Sequence, residues 1–122
     1  MNDSNVADKK FQKELNSGTV ALVLLGVLGR ATEPMYGYQI AKHVDAAGAD
    51  VPMMKQGALY PVLRSLESSG LLESRVEPSV SGPPRRYYVI TEVGREALER
   101  WTRIWRRTRT FVDGTLKGPS NV

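Results

Sequence analysis

The segment "GALYPVLRSLESSGLLES", residues 57–74, combines two different faces on one predicted helix. Its apolar stripe recurs at helical spacing and consists of Leu59, Leu63 and Leu66. A second stripe recurs every four residues, begins just before the segment and consists of Gln56, Tyr60 and Arg64. The first pattern is typical of a face that packs into a core, and the second carries long, hydrogen-bonding side chains. The helix is therefore predicted to pack on one side and to bind on the other.

The ends of this helix are marked by residues that restrict the backbone. Pro61 lacks an N–H group and fits best in a first turn, so the helix is predicted to begin near Ala58. Gly70 follows the last apolar position and is predicted to end it. Gly57, just before the start, would let the backbone come close to a molecule outside the protein.

Length and composition indicate one small domain. The chain has 122 residues, 41% of them hydrophobic and 25% charged, which is typical of a globular protein. There are no cysteines, so disulfides and thiolate metal sites are excluded. The longest apolar run, residues 20–29, has half of the roughly 20 residues that a membrane span requires. We expect a cytoplasmic protein with no membrane association, no metal and no cofactor.

The charge balance is positive, with 17 Lys and Arg against 13 Asp and Glu and a net charge of +4. This excess is compatible with a polyanionic partner but does not identify one. Six arginines lie between Arg95 and Arg109. Such a series of charged residues usually forms a solvent-exposed side of a helix. The alternatives are ion pairs between subunits and distant contacts to phosphates. We do not count these arginines as DNA ligands.

The order of predicted elements defines the fold class. They are a helix from Phe11 to Leu28, a helix from Gly37 to Ala47 ended by Gly48, the helix opening near Ala58, strands at 71–77 and 85–91 joined by "PSVSGPP", and a helix from Glu92 to Val112 capped by Thr91. The predicted divisions are a flexible tail at 1–10, a winged helix-turn-helix DNA-binding domain at 11–91, a dimerisation helix at 92–113 and a disordered tail at 114–122. The fold class is mostly α with a small β-hairpin, that is, a winged helix-turn-helix followed by one long C-terminal helix.

In that fold the third helix enters the major groove, which gives its polar stripe a role. Tyr60 would donate its hydroxyl to a phosphate, and Arg64 would reach a phosphate or a guanine edge. The alternative is that Tyr60 only packs against the connection between the helices. The predicted contacts lie on the second and third helices and in the short segment that precedes the third: Tyr38, Gln39, Lys55, Gln56, Gly57, Tyr60 and Arg64.

The stretch "SGPPRR", residues 81–86, predicts a second contact. It places Arg85 and Arg86 at the end of a loop shaped by glycine and proline, a geometry suited to the DNA backbone or the minor groove. The alternative is a solvated hairpin tip.

The last helix predicts a partner chain. Two tryptophans on one helical face are more apolar surface than a small domain leaves in water, and a second copy is the simplest cover. The predicted interface residues are Leu22, Leu25, Leu98, Trp101, Ile104, Trp105, Thr108 and Val112. Trp101 and Trp105 would also suit an effector site that stacks a planar aromatic molecule, unless both only fill the core of the dimer.

Three blocks of the chain resemble the PadR family of bacterial transcriptional regulators: "YGYQI" (36–40), "GALYPVLRSLESSGLL" (57–72) and "GPPRRYYVITEVG" (82–94). The likeness runs from about Thr19 to Val112 and is closest to the smaller subtype with one helix after the wing. It implies a homodimer that represses promoters with two half-sites and releases them on binding a small aromatic or phenolic effector. The contacts it implies are Gln56, Gly57, Tyr60 and Arg64 on the recognition helix and Arg85 and Arg86 on the wing. Pro83 and Ser65 stand where relatives usually carry a basic residue, which implies fewer phosphate contacts.

Other classes of function have less support in the sequence. His43 is the only histidine and no Gly-rich phosphate loop is present, so an enzyme is not expected. A winged-helix protein-protein interaction module is opposed by the aromatic and basic outer face of the third helix. A MarR-like regulator without a ligand is opposed by the "ALYP" block and by the single helix after the wing.

Overall fold

The computed structural model describes residues 3–47 and 56–118 of the chain. The elements are α1 (Asp3–Arg30), β1 (Met35–Tyr36), α2 (Gly37–Ala47), α3 (Gln56–Ser68), β2 (Leu72–Ser79), β3 (Gly82–Ile90) and α4 (Glu92–Lys117). Three helices precede a β-hairpin and one long helix follows it, which confirms the predicted winged helix-turn-helix class.

The core is formed mainly by the middle of α1, by one face each of α2 and α3, and by the sheet, with Ala97 added from α4. Its fully or almost fully buried apolar side chains are Val20, Leu24, Leu25, Leu28, Ile40, Ala41, Val44, Leu59, Leu63, Leu66, Leu71, Leu72, Tyr88, Ile90 and Ala97. The predicted apolar stripe of α3, formed by Leu59, Leu63 and Leu66, is confirmed in full. The middle of α1 is buried or half-buried on every side, in keeping with its uniformly apolar composition.

The sheet has three antiparallel strands in the order β1-β3-β2, with β3 in the centre. Tyr88 pairs with Met35 on one side and with Ser74 on the other. Since side chains alternate along a strand, Tyr88 and Ile90 face the helices while Tyr87 and Val89 face away. The sequence did not predict β1, because two residues after a proline are too short to show an alternating pattern.

A compact junction joins the end of α3 to the start of α4. Gly70 has φ +80° and reverses the chain after α3. The Thr91 side chain accepts a hydrogen bond from the Gly94 N–H at 2.9 Å, which confirms it as the N-cap of α4. The same hydroxyl donates to the Gly70 carbonyl at 2.8 Å. One side chain therefore caps α4 and ties it to the turn that ends α3.

Several predicted boundaries at the ends of elements were wrong. Helix α1 begins at Asp3, so residues 3–10 are exposed helix rather than a flexible tail; no proline or glycine lies among them to stop it. Helix α4 continues to Lys117, past the predicted tail boundary, and an Arg109–Asp113 ion pair of 3.6 Å spans the predicted end.

Two more corrections concern the prolines. Helix α3 begins at Gln56, so Pro61 is inside the helix and only removes the N–H that would bond to the carbonyl of Gly57. The predicted connection "PSVSGPP" is mostly strand, and the turn is only Val80 and Ser81. The predicted cap at Gly48 lies outside the described residues.

Candidate nucleic-acid interface and helix groove

Arg64 lies on the outer face of α3, where it is exposed to solvent. The neighbouring Leu63 is fully buried, so the backbone of α3 is fixed from below by the core. This arrangement holds the base of the Arg64 side chain rigidly and leaves its guanidinium group at the surface. The structure thus agrees with the predicted orientation of Arg64.

Tyr60 is half-buried, because its ring packs across the start of α2. A Cβ atom at Gly37 would overlap the ring and would lie 2.7 Å from the Tyr60 hydroxyl. Only a glycine leaves room for this contact. Tyr60 therefore packs against the start of α2, and its hydroxyl lies beside the N-terminus of that helix.

The start of α2 contributes two further predicted residues. The Gln39 side-chain carbonyl accepts a hydrogen bond from the backbone N–H of Tyr36 at 3.0 Å, which is one half of a capping box. This side-chain oxygen of Gln39 therefore caps the N-terminus of α2. Tyr38 is 48% exposed, and the Lys42 ammonium lies 5.5 Å from the centre of its ring. Lys42, which was not among the predicted contacts, adds a positive charge beside Tyr38.

Three predicted contacts lie at the edge of the described residues. Lys55 is outside them. Gln56 and Gly57 are the first two residues of α3, and their side chains are not described.

The predicted placement of Arg85 and Arg86 at a loop tip was wrong. Both lie inside β3, three residues or more beyond the two-residue turn, and consecutive strand residues point to opposite faces. The Arg85 guanidinium lies 4.5 Å from the centre of the Tyr36 ring on the outer face of the sheet. Arg86 shares the face of Tyr88, which is directed towards the helices.

Arg86 takes part in a polar chain between the hairpin and α3. Its Nη1 donates to the Ser74 hydroxyl oxygen at 2.9 Å, and the Ser74 hydroxyl donates to Glu67 Oε2 at 2.6 Å. Burial raises the pKa of the neighbouring Tyr88, with Arg86 opposing and Glu67 reinforcing the shift. Tyr88 thus remains neutral beneath these charged groups. We call the three residues Glu67, Ser74 and Arg86 the polar relay.

A groove of about 480 Å³ separates α1 from α4. The residues that line it are Glu14, Leu15, Gly18, Thr19, Ala21, Leu22, Trp101, Ile104, Trp105 and Thr108. Five of the predicted interface residues meet here, including both tryptophans. The contacts from residues 14–21 were not predicted, although the apolar spacing of Leu15, Leu22 and the small residues between them is visible in the sequence.

The predicted assignment of Leu25 to the dimer interface was wrong. Leu25 is fully buried in the core of its own chain and has no surface to offer a partner. Leu98 packs partly on the core, and Val112 is 44% exposed further along α4. Further exposed apolar side chains on these two helices include Phe11 on α1 and Phe111 and Leu116 on α4.

The arginines of α4 lie beside this groove. Arg100, Arg103, Arg106 and Arg107 line a second hollow together with Ile104. None of these four forms an ion pair with a residue of the described part of the chain. Arg95 differs, since it donates to the backbone carbonyl of Gly29 at 3.2 Å.

The described residues support neither a metal site nor a membrane-spanning helix. Within 3–47 and 56–118, no group of three or more potential ligands is arranged to hold a metal ion, and His43 is exposed. None of the described helices is long and apolar enough to cross a bilayer.

Comparison with known proteins identifies the family of this chain. Residues 24–100, more than half of the chain, match the transcriptional regulator PadR-like family. The chain belongs to the PadR-like family. This PadR-like protein is therefore a DNA-binding transcriptional regulator. The matched range includes α2, α3 and the whole hairpin, so it covers the candidate DNA interface. It begins after Leu22 and ends before Trp101, so it includes none of the residues that line the groove.

Solved PadR-like structures extend the match to nearly the whole chain. A PadR family regulator from Eggerthella lenta DSM 2243 is 32% identical, with 96% of each chain covered and a TM-score of 0.73. A PadR-like regulator from Bacillus cereus is 28% identical, covering 87% of this chain and 99% of the other, with a TM-score of 0.70. An uncharacterized protein of Lysinibacillus sphaericus is 26% identical over 83 residues, which is 68% of this chain and 76% of that protein.

Proposed function

We propose that this PadR-like regulator is a cytoplasmic homodimeric repressor whose α3 helices bind two half-sites of an operator and which a planar aromatic effector releases. The observation that carries the DNA-binding part is the outer face of α3, where Arg64 is exposed above a buried leucine stripe. We assign residues up to Thr91 to DNA binding and α4 to dimerisation.

Contacts to DNA would come from two adjacent helices. Arg64 would reach a phosphate or a guanine edge in the major groove. The start of α2 lies next to Tyr60, so Tyr38 and Lys42 would approach the flanking phosphates on the same side as the Tyr60 hydroxyl. Because helix N-termini attract phosphate, the first turn of α2 adds to this positive surface.

The hairpin would supply the wing contact. Arg86 is directed towards α3 and is therefore placed between the recognition helix and the wing. Arg85 stacks on Tyr36 and would contact DNA only from the outer face of the sheet. The wing contacts thus divide between two faces, with Arg86 nearer to the major-groove helix.

A second copy of the chain would cover the apolar surface of α1 and α4. Trp105 is 39% exposed and Ile104 is 52% exposed in the single chain, and the groove beside them is open. Contiguous apolar surface of this kind marks an interface. A two-fold axis would bring the two α4 helices together and cover the same patch on both chains.

The effector would bind in the groove beside Trp101 and Trp105. The groove volume of about 480 Å³ falls within the range of small-molecule pockets, and its lining is mostly apolar. Indole rings offer stacking worth about 0.5–1.5 kcal/mol per aromatic pair. The alternative is that both tryptophans only fill the dimer core.

A fluorescence titration with a panel of planar aromatic and phenolic compounds tests the effector. We expect a binding compound to quench the tryptophan emission and to release DNA at the same concentrations. A Trp105→Leu variant that still dimerises should lose the response. If the full panel leaves the emission unchanged, the tryptophans are core residues.

An Arg64→Ala variant tests the DNA-binding face. Against a duplex selected from a random library by the native protein, we expect affinity to fall about ten-fold or more, because the variant removes a charge-assisted hydrogen bond from each half-site. The slope of log affinity against log salt should flatten by up to about one unit for each phosphate that Arg64 neutralises in the native complex.

Arg106→Ala is the matched control, since it removes the same charge from an exposed position on α4. It should retain the native affinity within a factor of about two. Equal affinity of the native protein and Arg64→Ala for the duplex would contradict the assignment of this face. If the native protein fails to retard the duplex in a gel even at low salt, a protein-binding module is favoured instead.

A further inference from the structure

We propose that Glu67 and Ser74 are positioning residues that aim Arg86 at the DNA backbone and set the wing relative to α3. The inference rests on the proposed DNA-binding face, but it assigns roles to two residues that would not touch DNA themselves. In the polar relay, the hydroxyl of Ser74 joins the carboxylate of Glu67 to the guanidinium of Arg86.

The geometry of the polar relay fixes the direction of each hydrogen bond. A serine hydroxyl has one proton, and the distance of 2.6 Å to Glu67 Oε2 shows where that proton is donated. Its lone pair then accepts from Arg86 Nη1 at 2.9 Å. Both bonds involve an ionised partner and are of the stronger, charge-assisted kind.

The relay connects α3 to both strands of the hairpin, which are already joined to each other by the hydrogen bonds of the sheet. Glu67 is the penultimate residue of α3, Ser74 is the third residue of β2, and Arg86 is the fifth residue of β3. Tyr88 lies beneath them, buried and paired with Ser74 across the sheet. The relay is thus the polar edge of the contact between α3 and the hairpin.

A fixed hairpin matters because a winged helix touches DNA with two separate elements. An isolated two-stranded ribbon bends readily, and the β2–β3 ribbon extends beyond the last pair that β1 makes with β3, at Tyr87. The link from Arg86 to α3 restricts this bending near the end of the ribbon that adjoins the helices. The wing and Arg64 can then contact their phosphates without further ordering of the hairpin.

Arg86 retains donors for a phosphate while it is held. A guanidinium has five N–H groups in a fixed plane, and one nitrogen is engaged with Ser74. The remaining N–H groups are oriented by that single bond. Ser74 therefore acts on the direction of the Arg86 side chain and not on its charge.

The decisive test uses Ser74→Ala, because this variant changes no charge. We expect affinity for the selected duplex to fall roughly five- to twenty-fold, with a salt slope flattened by about one unit for each half-site, as in Arg86→Ala. The double variant should bind no more weakly than Arg86→Ala alone, since both changes remove the same contact. Ser74→Thr keeps the hydroxyl and should restore the native slope.

The outcomes separate this proposal from the function it rests on. If Arg64→Ala weakens binding but Ser74→Ala keeps the native affinity and salt slope, the relay is overturned and the DNA-binding face stands. Additive reductions of affinity in the double variant would also overturn it. If Arg64→Ala has no effect on binding, the proposed face itself fails. Thermal unfolding of each variant verifies that the chain remains folded, and Glu67→Gln, which keeps a side-chain acceptor, should show a smaller reduction than Ser74→Ala.

Discussion

Gly94→Ala is expected to lower the free energy of unfolding by about 3 kcal/mol or more, the upper end of the cost of overpacking. Gly94 is buried in the first turn of α4. A Cβ atom there would overlap the carbonyl oxygen of Leu71 and would lie 2.8 Å from Cγ1 of Ile90. The Leu71 carbonyl already accepts the Thr91 N–H at 3.1 Å, so it cannot move without breaking that bond.

Gly114→Ala provides the matched control on the same helix. Apart from the backbone of α4 itself and the adjoining residues, no atom of the described part of the chain lies within 4 Å of a Cβ built at Gly114, so the substitution should stabilise α4 by about 0.5–1 kcal/mol. Urea unfolding followed by circular dichroism measures both variants under identical conditions. Equal midpoints for Gly94→Ala and the native protein would show that the junction between α3 and α4 is looser than the structure indicates.

Ile104→Glu is expected to dissociate the proposed dimer, weakening self-association by about 100-fold or more. In the single chain Ile104 is 52% exposed, and Arg100 and Arg107 lie one helical turn to either side, so a glutamate is tolerated there. Between two copies the same carboxylate would be removed from water, which costs several kcal/mol without a matched partner. The variant should therefore remain folded as a monomer.

Sedimentation equilibrium at micromolar concentrations measures the mass of this variant. Thr110→Glu adds the same charge to an exposed position across α4 from Trp101 and should remain a dimer. Loss of the dimer in both variants would indicate a general charge effect on α4. A dimer that survives Ile104→Glu would place the interface away from the groove.

The sequence predicted the helical core well because its signals are local and periodic. The bounds of α2, the leucine stripe of α3 and the cap at Thr91 all depend on residues within one or two turns of each other. The exposed orientation of Arg64 follows from the same periodicity. These features required no knowledge of which elements touch.

The hairpin was predicted less well, since proline and glycine were interpreted as a long loop. Pro83 and Pro84 nevertheless belong to β3, and the register shifts between Glu77 and Ser79 on the opposite strand. Prolines are accepted in a strand where the ladder is interrupted in this way. Once β3 includes them, the alternation of a strand separates Arg85 from Arg86.

The remaining differences between the predictions and the structure arise from contacts between elements that are distant in the sequence. The packing of Tyr60 on Gly37 joins α3 to α2, and the polar relay joins α3 to both strands of the hairpin. No pattern within one element encodes such a pair. For the same reason Leu25 was assigned to the interface, because an apolar residue on a helix buried on every side gives no sign of which neighbour covers it.

The double use of Thr91 has a mechanical consequence for a dimer joined through α4. Because its hydroxyl fastens the first turn of α4 to the end of α3, each recognition helix turns together with the long helix of its own chain. Helix α4 has 26 residues and is a rod of about 39 Å at 1.5 Å per residue. A change of about 5° in the angle between two such rods displaces their far ends by about 3 Å, roughly the rise of one base pair. Slight pivoting where the helices cross would thus move the paired recognition helices out of phase with the turns of the duplex.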